Sequence, residues 1–170
     1  MKARAPNQTA NSATSELIAI PIRTSDAVQG RLAVGRPRAA HRRLLNAAIP
    51  WDVEIVSGAS KLQGKFSSLD LRSFSLTGGV DQMRLTLGSP TGDVPIRFTR
   101  GANTIRIERP TGAHLRLTLT GGAGRIDFDG QRLGRTGDTV LETTGASRAA
   151  DRYSIDIEGG AGRITVAEVA

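Results

Sequence analysis

Paired carboxylates are the side chains of this sequence whose type and spacing come nearest to catalytic chemistry. Asp127 and Asp129 share one face of a predicted strand, and so do Asp156 and Glu158. Two carboxylates on one face can act as general acid and general base. The same alternation with apolar residues also predicts a solvated outer face, where the carboxylates meet arginines of neighbouring strands. The second interpretation is favoured, and no catalytic residue is assigned.

Two glycine-rich segments have the outline of ion-binding and phosphate-binding motifs. The segment 121–129, GGAGRIDFD, is similar to a calcium-binding nonapeptide, but Ile126 occupies the place that requires Asp. The segment 58–65, GASKLQGK, has five residues between its glycines where a phosphate loop has four, and Phe66 follows where Ser or Thr should bind magnesium. Neither segment therefore predicts a metal or nucleotide site.

The histidines and the two large amphipathic rings do not form a recognisable site either. His41 and His114 have no partner at metal-ligand spacing, so both are expected at the surface. Trp51 and Tyr153 could stack on a sugar, but both lie seven residues before a repeated glycine, which indicates a structural role. We expect a protein that is not an enzyme and that has no cofactor, no metal and no evident small-molecule substrate.

The positive charge is concentrated in the N-terminal third of the chain. The formal net charge is +7; residues 1–50 contribute +6, whereas residues 51–170 contribute +1. The basic segment 31–43 could contact nucleic acid or anionic lipid. No aromatic residue interleaves it, so base stacking is unsupported. We expect a linker or docking segment that does not bind nucleic acid, and membrane contact only through this segment or through a partner.

A repeat organises the rest of the chain around five glycines. These anchors are Gly58, Gly79, Gly101, Gly122 and Gly160. The residues five and three positions before each anchor, and four and six positions after it, are apolar, with Gly64 as the one exception. The residue directly after each anchor is Ala or Val. Apolar residues at alternate positions are typical of half-buried strands, so each copy predicts a strand, a corner and a second strand.

The repeat predicts an all-β fold, a right-handed parallel β-solenoid (β-helix) with coils of about 21 residues. A coil of this length has a contour of about 70 Å, enough for one closed turn. Each strand is expected to pair with its counterpart in the adjacent copy, so that equivalent apolar residues stack around a shared interior. An antiparallel sandwich, whose strands also alternate, is the remaining alternative.

The repeat also divides the chain into regions. Residues 1–15 are predicted to be disordered, and residues 16–50 to form basic strands or a linker that caps the stack. Residues 51–170 form the predicted solenoid, and residues 131–152 exceed one period. That excess is expected to be a loop or hairpin insertion, with a degenerate extra coil as the alternative.

Basic side chains recur at one outward position of the repeat. Lys61, Arg125 and Arg163 occupy it, but Gln82 and Thr104 hold the same position in the copies between Lys61 and Arg125. We therefore expect an interrupted basic stripe and no continuous ladder for phosphates.

The segment Asn46–Val169 resembles a known family. Its sequence includes IPWDVEIVSGASKLQG, SLTGGVDQMRLTL and AADRYSIDIEGGAGRITV. On these motifs it resembles the toast-rack, adhesin-like β-solenoid family of uncharacterised, mainly actinobacterial proteins, and it is similar to domains of cell-wall-active antibiotic response proteins. The resemblance implies the solenoid fold. It implies no catalytic motif, so no site residue is carried over.

The function predicted from these features is a non-catalytic binding or scaffold module. Solenoids present long faces and terminal strands that can pair, so a protein partner or self-association is expected. The alternatives are a carbohydrate-binding or polysaccharide-active protein and, from the resemblance, an envelope-stress sensor. Residues 1–15 have no apolar core of a secretory signal, and no apolar run is long enough to span a bilayer. The compartment is not assigned; a cytoplasmic and a membrane-associated location are both left open.

Overall fold

The computed structural model describes residues 14–20, 30–34, 41–56 and 58–170. These ranges contain fifteen β-strands and one short 3₁₀ turn, Ala146–Arg148. The strands are β1 (Thr14–Ile20), β2 (Gly30–Val34), β3 (His41–Asn46), β4 (Pro50–Ile55), β5 (Ala59–Phe66), β6 (Asp70–Leu76), β7 (Val80–Leu87), β8 (Asp93–Phe98), β9 (Ala102–Pro110), β10 (His114–Leu119), β11 (Ala123–Phe128), β12 (Gln131–Leu133), β13 (Thr139–Glu142), β14 (Arg152–Ile157) and β15 (Ala161–Val169). Within the same ranges, no helix is long and apolar enough to cross a membrane.

The strands form two sheets, and the chain alternates between them at each glycine corner. Sheet A has the order β12-β11-β15-β9-β7-β5-β1-β3, and sheet B has the order β13-β10-β14-β8-β6-β4-β2. Every named pair is parallel except β11 with β12 and β10 with β13. The all-β prediction with parallel strands is confirmed, and the antiparallel sandwich is wrong.

The order of strands in space differs from their order in the sequence at both ends of the sheets. β14 lies between β8 and β10, and β15 lies between β9 and β11. β1 likewise lies between β3 and β5. The expectation that each copy pairs with the next copy along the chain is therefore wrong at one step: the Gly101 copy pairs with the Gly160 copy and not with the Gly122 copy. Equivalent copies present the same apolar pattern, so the pattern alone does not determine which copies become neighbours.

The repeated apolar positions face a shared interior between the sheets. The column that lies five residues before the anchors is exposed by 1 % or less at every copy: Val53, Phe74, Ile96, Leu117 and Ile155. Phe74 also contacts two other rings, with centroid distances of 5.8 Å to Phe66 and 5.9 Å to Phe98. Aliphatic ladders and a few rings thus fill the core, as expected from a composition with 4 % aromatic residues.

The exception at Gly64 has a packing explanation. Phe66, two residues further along β5, is fully buried. A Cβ added at Gly64 would lie 2.6 Å from the Phe66 ring and 2.9 Å from Leu85 Cδ2. The Phe66 ring therefore occupies the space that an apolar side chain fills at this position in the other copies.

The corner glycines allow neighbouring backbones to approach closely. A Cβ added at Gly159 would lie 2.1 Å from the backbone nitrogen of Gly101, and one at Gly58 would lie 2.7 Å from the carbonyl oxygen of Gly79. Among the anchors, Gly122 and Gly160 have positive φ angles, 80° and 73°. The close stacking of corners therefore requires glycine at positions 58 and 159. The left-handed backbone favours glycine at positions 122 and 160.

The insertion 131–152 forms short antiparallel strands at one end of the stack. β12 pairs with β11 and β13 pairs with β10. Leu133 and Leu141 pack against the core from these strands. The interpretation of residues 131–152 as a loop or hairpin insertion stays a prediction, because the two strands join different sheets and do not pair with each other. Because short edge strands offer little backbone for pairing, this end is protected against addition of another chain.

At the other end, β3 is the outer strand of sheet A and β2 is the outer strand of sheet B. β1 lies one strand inside β3, and the capping role of residues 16–50 stays a prediction. The predicted disorder of residues 1–15 falls outside the described residues, except that Thr14 and Ser15 begin β1.

Candidate functional site

Sheet A presents an outward face that is rich in basic side chains. Ile105 and Ile107 of β9 are fully buried, so the intervening Arg106 points outward and is exposed. The same alternation places basic residues outward on β5, β7, β11 and β15. We call this surface the arginine face; its basic members on β5, β7, β9, β11 and β15 are Lys61, Lys65, Arg84, Arg106, Arg125 and Arg163.

The first row of the arginine face follows the position predicted from the repeat. Arg125 lies in register with Arg163, then come Thr104, Gln82 and Lys61. The predicted interruption of the basic stripe by Thr104 and Gln82 is confirmed. Neighbouring strands lie about 4.8 Å apart, so Arg125 and Arg163 stand side by side.

The second row was not anticipated from the sequence. Arg84 of β7 lies in register with Arg106 of β9. Because β15 lies next to β9, Arg163 is a diagonal neighbour of Arg106, a separation of about 7–8 Å. The two arginine pairs therefore form one patch at the β7–β11 end of the sheet.

Glu108 compensates one arginine pair. This residue is 5 % exposed, and its carboxylate accepts hydrogen bonds from Arg84 (2.6 and 3.2 Å), Arg106 Nε (2.8 Å) and the Thr86 hydroxyl (3.1 Å). Burial, the largest single influence, raises the pKa of Glu108, but the hydrogen bonds together outweigh it. The pKa therefore lies below its ordinary value, and the carboxylate stays ionised beside the two guanidinium groups.

The other arginine pair is uncompensated. Arg125 and Arg163 are exposed, and neither forms an ion pair or a side-chain hydrogen bond with any residue of the described ranges. Like charges directly opposite each other on neighbouring strands are destabilising.

The outer face of sheet B has a different character, because its charges are satisfied internally. Asp93 accepts a hydrogen bond from the Ser154 hydroxyl at 2.5 Å and forms an ion pair with Arg152 at 2.9 Å. The Ser154 hydrogen bond is the main cause of a lowered pKa at Asp93, with a smaller contribution from Arg152. Asp52 accepts a hydrogen bond from Ser73 at 2.6 Å. Among the sheet B residues whose side chains the structure describes, no two arginines lie opposite each other on neighbouring strands.

Arg109 is a buried charge that connects three neighbouring parts of the stack. Its side chain is 3 % exposed and forms ion pairs of 2.6 Å with Asp129 and with Glu168. It also donates a hydrogen bond of 2.7 Å to the carbonyl oxygen of Ala113. The hydrogen bond and charge of Arg109 lower the pKa of Glu168. The cluster ties β9 to β15 and to the turn after β11, which is a structural role.

The carboxylate pairs considered for acid–base chemistry do not converge in the structure. Asp127 lies 3.5 Å from Arg132 Nε, whereas Asp129 lies in a turn with φ 49° and binds Arg109. Asp156 lies 3.8 Å from Arg97 on the neighbouring strand β8. Asp127, Asp129 and Asp156 therefore each meet an arginine.

The remaining candidate residues occupy structural or peripheral positions. Tyr153 is 1 % exposed and donates a hydrogen bond of 2.9 Å to the carbonyl oxygen of Gly88, so its ring offers no platform for a sugar. Burial raises the pKa of its phenol. Trp51 is half-buried and donates to the carbonyl oxygen of Asn46 at 2.6 Å. His114 lies beside Gly145, and the side chain of His41 lies outside the described residues.

The two motif-like segments form corners and strands of the stack, and the basic segment is described in part. Residues 58–65 form a corner and strand β5. Residues 121–129 form a corner and β11, with Ile126 fully buried. No cluster of His, Asp or Glu in the described part of the chain could hold a metal ion. Of the segment 31–43, the structure describes strand backbone at 31–34 and 41–43.

The sequence contains a pattern that points to Arg109, although its position is not one of those that define the repeat. Arg109 lies eight positions after its anchor, in phase with the buried Ile105 and Ile107. Glu168 lies eight positions after Gly160, and the two residues are in register across β9 and β15. Opposite charges at one inward position of two copies indicate that the copies are neighbours.

Comparisons with known proteins give one informative match. No family model matches the chain, and no curated protein matches it. A crystal structure of a putative cell adhesion protein from Clostridium sporogenes superimposes with a TM-score of 0.57 at 12 % identity, and the match covers 94 % of each chain. At this identity the likeness concerns the fold alone. The chain therefore shares the fold of that protein, and its assignment to the toast-rack, adhesin-like family stays a prediction.

Proposed function

We propose that this chain is a non-catalytic protein-interaction module that binds an acidic protein surface through the arginine face. The observation that carries the proposal is the Arg125–Arg163 pair, two exposed guanidinium groups side by side with no acidic partner in the described residues. A negatively charged partner removes their repulsion on binding. The cell adhesion description of the structural neighbour is consistent with an interaction module.

The chemistry of the arginine face favours carboxylates over nucleic acid. Guanidinium groups bind carboxylates through two parallel hydrogen bonds, and arginine is enriched at protein interfaces. Nucleic-acid faces of this kind usually add aromatic rings for base stacking. Among the described aromatic residues, the phenylalanines and Tyr153 are buried, and none lies on the arginine face.

We also propose the handedness and the coil length of the fold. The chain winds as a right-handed β-solenoid with coils of about 21 residues. Support comes from the register, since Val53 pairs with Phe74 and Phe74 with Ile96, 21 and 22 positions apart. Crossover connections between parallel strands are also right-handed in nearly all proteins. A crystal structure with left-handed connections would contradict this part.

The alternative functions have weaker support. A polysaccharide-binding protein needs an exposed ring, and of Trp51 and Tyr153 only Trp51 is partly accessible. Glycan-array binding that is lost in Trp51→Ala would favour this alternative. The envelope-stress role rests on the family resemblance, and a purely soluble cell fraction would count against it.

The test is affinity capture from a lysate of the native cell with immobilised protein. The variant R125E/R163E reverses the uncompensated pair. The matched control, R100E/R148E, makes the same charge change at two exposed arginines outside the face. We expect the wild type and the control to retain the same acidic proteins in a salt-sensitive way, and R125E/R163E to lose them.

Two results would overturn the proposal. One is retention of the same proteins by R125E/R163E and the wild type. The other is loss of all captured material after nuclease treatment, which would indicate nucleic acid as the ligand. Far-ultraviolet circular dichroism and thermal unfolding of each variant establish that the fold is unchanged.

A further inference from the structure

A groove crosses the glycine corners beside the arginine face. It has a volume of about 830 Å³ and runs over the corners of three neighbouring copies, those of Gly101, Gly160 and Gly122. Residues 135–137 form its outer border. Most of the lining residues are glycine or alanine, so backbone atoms make up much of its floor.

The outer border of the groove is held in place by three hydrogen bonds. Ala123 and Thr136 exchange two backbone hydrogen bonds of 2.9 and 3.0 Å at the start of β11. The Asp138 carboxylate accepts a third, of 2.8 Å, from the backbone N–H of Gly121. The groove is therefore formed before a ligand arrives, and little conformational entropy is lost in shaping it.

Three arginines follow the groove in successive rows. Arg163 and Arg125 each directly follow a glycine of the lining, Gly162 and Gly124. Arg135 lines the groove itself, in the row beyond β11. The three side chains are exposed, and none forms an ion pair or a side-chain hydrogen bond with any residue of the described ranges. Because neighbouring rows lie about 4.8 Å apart, the three positions span about 10 Å.

The dimensions of the groove match a short length of extended chain. From the Gly101 corner to the segment 135–137 there are three row spacings, about 14 Å, which is the length of about four extended residues. The glycine corners carry no side chains that would keep a second backbone away. In an extended chain, residues i and i+2 lie on the same side about 7 Å apart, so carboxylates at both reach the arginine rows.

We propose that the groove receives an extended acidic segment of the partner, whose carboxylates meet Arg163, Arg125 and Arg135 while its backbone lies along the glycine corners. The inference rests on the proposed function, because both use the Arg125–Arg163 pair, and it adds the conformation of the partner. No aromatic side chain of the described residues lines the groove, so a nucleic-acid strand would find no ring on which to stack.

Two glycine substitutions separate the groove from the charges beside it. Gly137 lies in the outer border, whereas Gly134 does not line the groove. A Cβ added at either residue would have no atom within 4 Å, and neither residue has a positive φ angle. Gly137→Leu therefore narrows the groove without changing a charge, and Gly134→Leu is the matched control. Circular dichroism and thermal unfolding establish that both variants keep the fold.

The assay is fluorescence anisotropy with three labelled probes. These are a peptide with four consecutive glutamates between Gly-Ser flanks, the same peptide with glutamines, and a thymidine decanucleotide. We expect the wild type and Gly134→Leu to bind the glutamate peptide equally, and the glutamine peptide at least about tenfold more weakly. Gly137→Leu should weaken binding of the glutamate peptide at least about tenfold. Arg135→Ala should weaken it about two- to fivefold, the effect of one exposed ion pair.

Equal affinities of Gly137→Leu and Gly134→Leu for the glutamate peptide would overturn the inference. So would equal affinities of the wild type for the two peptides. Tighter binding of the decanucleotide than of the glutamate peptide would make a nucleic-acid strand the occupant and would also overturn it.

Capture from the lysate distinguishes failure of this inference from failure of the proposed function. If Gly137→Leu retains the acidic proteins that R125E/R163E loses, the arginine pair binds them outside the groove and only the present inference fails. If R125E/R163E retains them as well, the proposed function fails with it.

Discussion

Arg109→Met tests whether a single buried guanidinium group holds the intercalated strand β15 in place. Methionine preserves most of the apolar volume of the side chain and removes the charge and its donors. The substitution eliminates two ion pairs of 2.6 Å and a hydrogen bond of 2.7 Å to the carbonyl oxygen of Ala113. It leaves two carboxylates and one carbonyl group without their donor.

The expected magnitude follows from the burial of the groups concerned. Removing one partner of a fully buried ion pair costs about 3–5 kcal/mol. The Asp129 and Glu168 side chains are 29 % and 42 % exposed, so water partly replaces the lost arginine. We therefore expect the free energy of unfolding to fall by about 2–3 kcal/mol. For a chain of this size, this lowers Tm by roughly 4–12 °C.

The assay is equilibrium unfolding in urea, with differential scanning calorimetry as a second measurement. The matched control is Arg116→Met, an arginine of β10 that is 46 % exposed and forms one ion pair of 3.3 Å with Glu142. Surface ion pairs contribute about 0–1 kcal/mol, so the control should change stability little. Equal effects of the two substitutions would refute the assignment of Arg109 as the residue that ties β9, β15 and the turn after β11 together.

Three further predictions follow from the corner, the core and the charged clusters. Gly159→Ala should lower the free energy of unfolding by about 1–3 kcal/mol or more, because the added Cβ would lie 2.1 Å from the backbone nitrogen of Gly101. Gly134→Ala, whose added Cβ would have no atom within 4 Å, is the control in urea unfolding. Equal stabilities of the two variants would contradict the close stacking of corners. Tyr153→Phe should lower the free energy of unfolding by about 1–2 kcal/mol because the carbonyl oxygen of Gly88 loses its buried donor; an unchanged value would mean that water replaces it. The pKa values of Glu108 and Glu168 in the folded chain lie below their ordinary value of 4.5. As the pH falls through 4.5, the unfolded chain therefore binds more protons than the folded chain. The stability that these two groups contribute is thus present above pH 4.5 and is lost as the pH falls further. Urea unfolding between pH 7 and pH 3 should therefore show a smaller acid dependence in E108Q/E168Q than in the wild type, and identical pH profiles would exclude this linkage.

Much of the fold could be predicted from local features of the sequence. Val53, Phe74 and Ile96 recur at one distance from a glycine, and such alternation specifies which side of a strand faces the core. The anchor glycines likewise indicate where the chain turns from one strand to the next, as at Gly58 and Gly101. These properties depend on a few neighbouring residues, so they can be read without knowing the rest of the structure.

The candidate site was predictable in part. The recurrence of Arg125 and Arg163 at one outward position was visible, and so was the interruption by Thr104. The patch formed with Arg84 and Arg106 was not, because it depends on two outward positions of different strands and on which strands are neighbours. Glu108 was missed for the same reason, since its burial results from arginines of two strands that cover it.

The repeat, the inward and outward faces of each strand, and the corners between the sheets follow from local sterics and from the alternation of side chains along a strand. The order of the strands does not follow from these local features and is visible only in the folded chain. Copies with the same apolar pattern can stack in several orders with similar burial, so the order is selected by long-range interactions. Among them are the return of the chain after the antiparallel strands β12 and β13, and the pairing of Arg109 with Glu168 across β9 and β15.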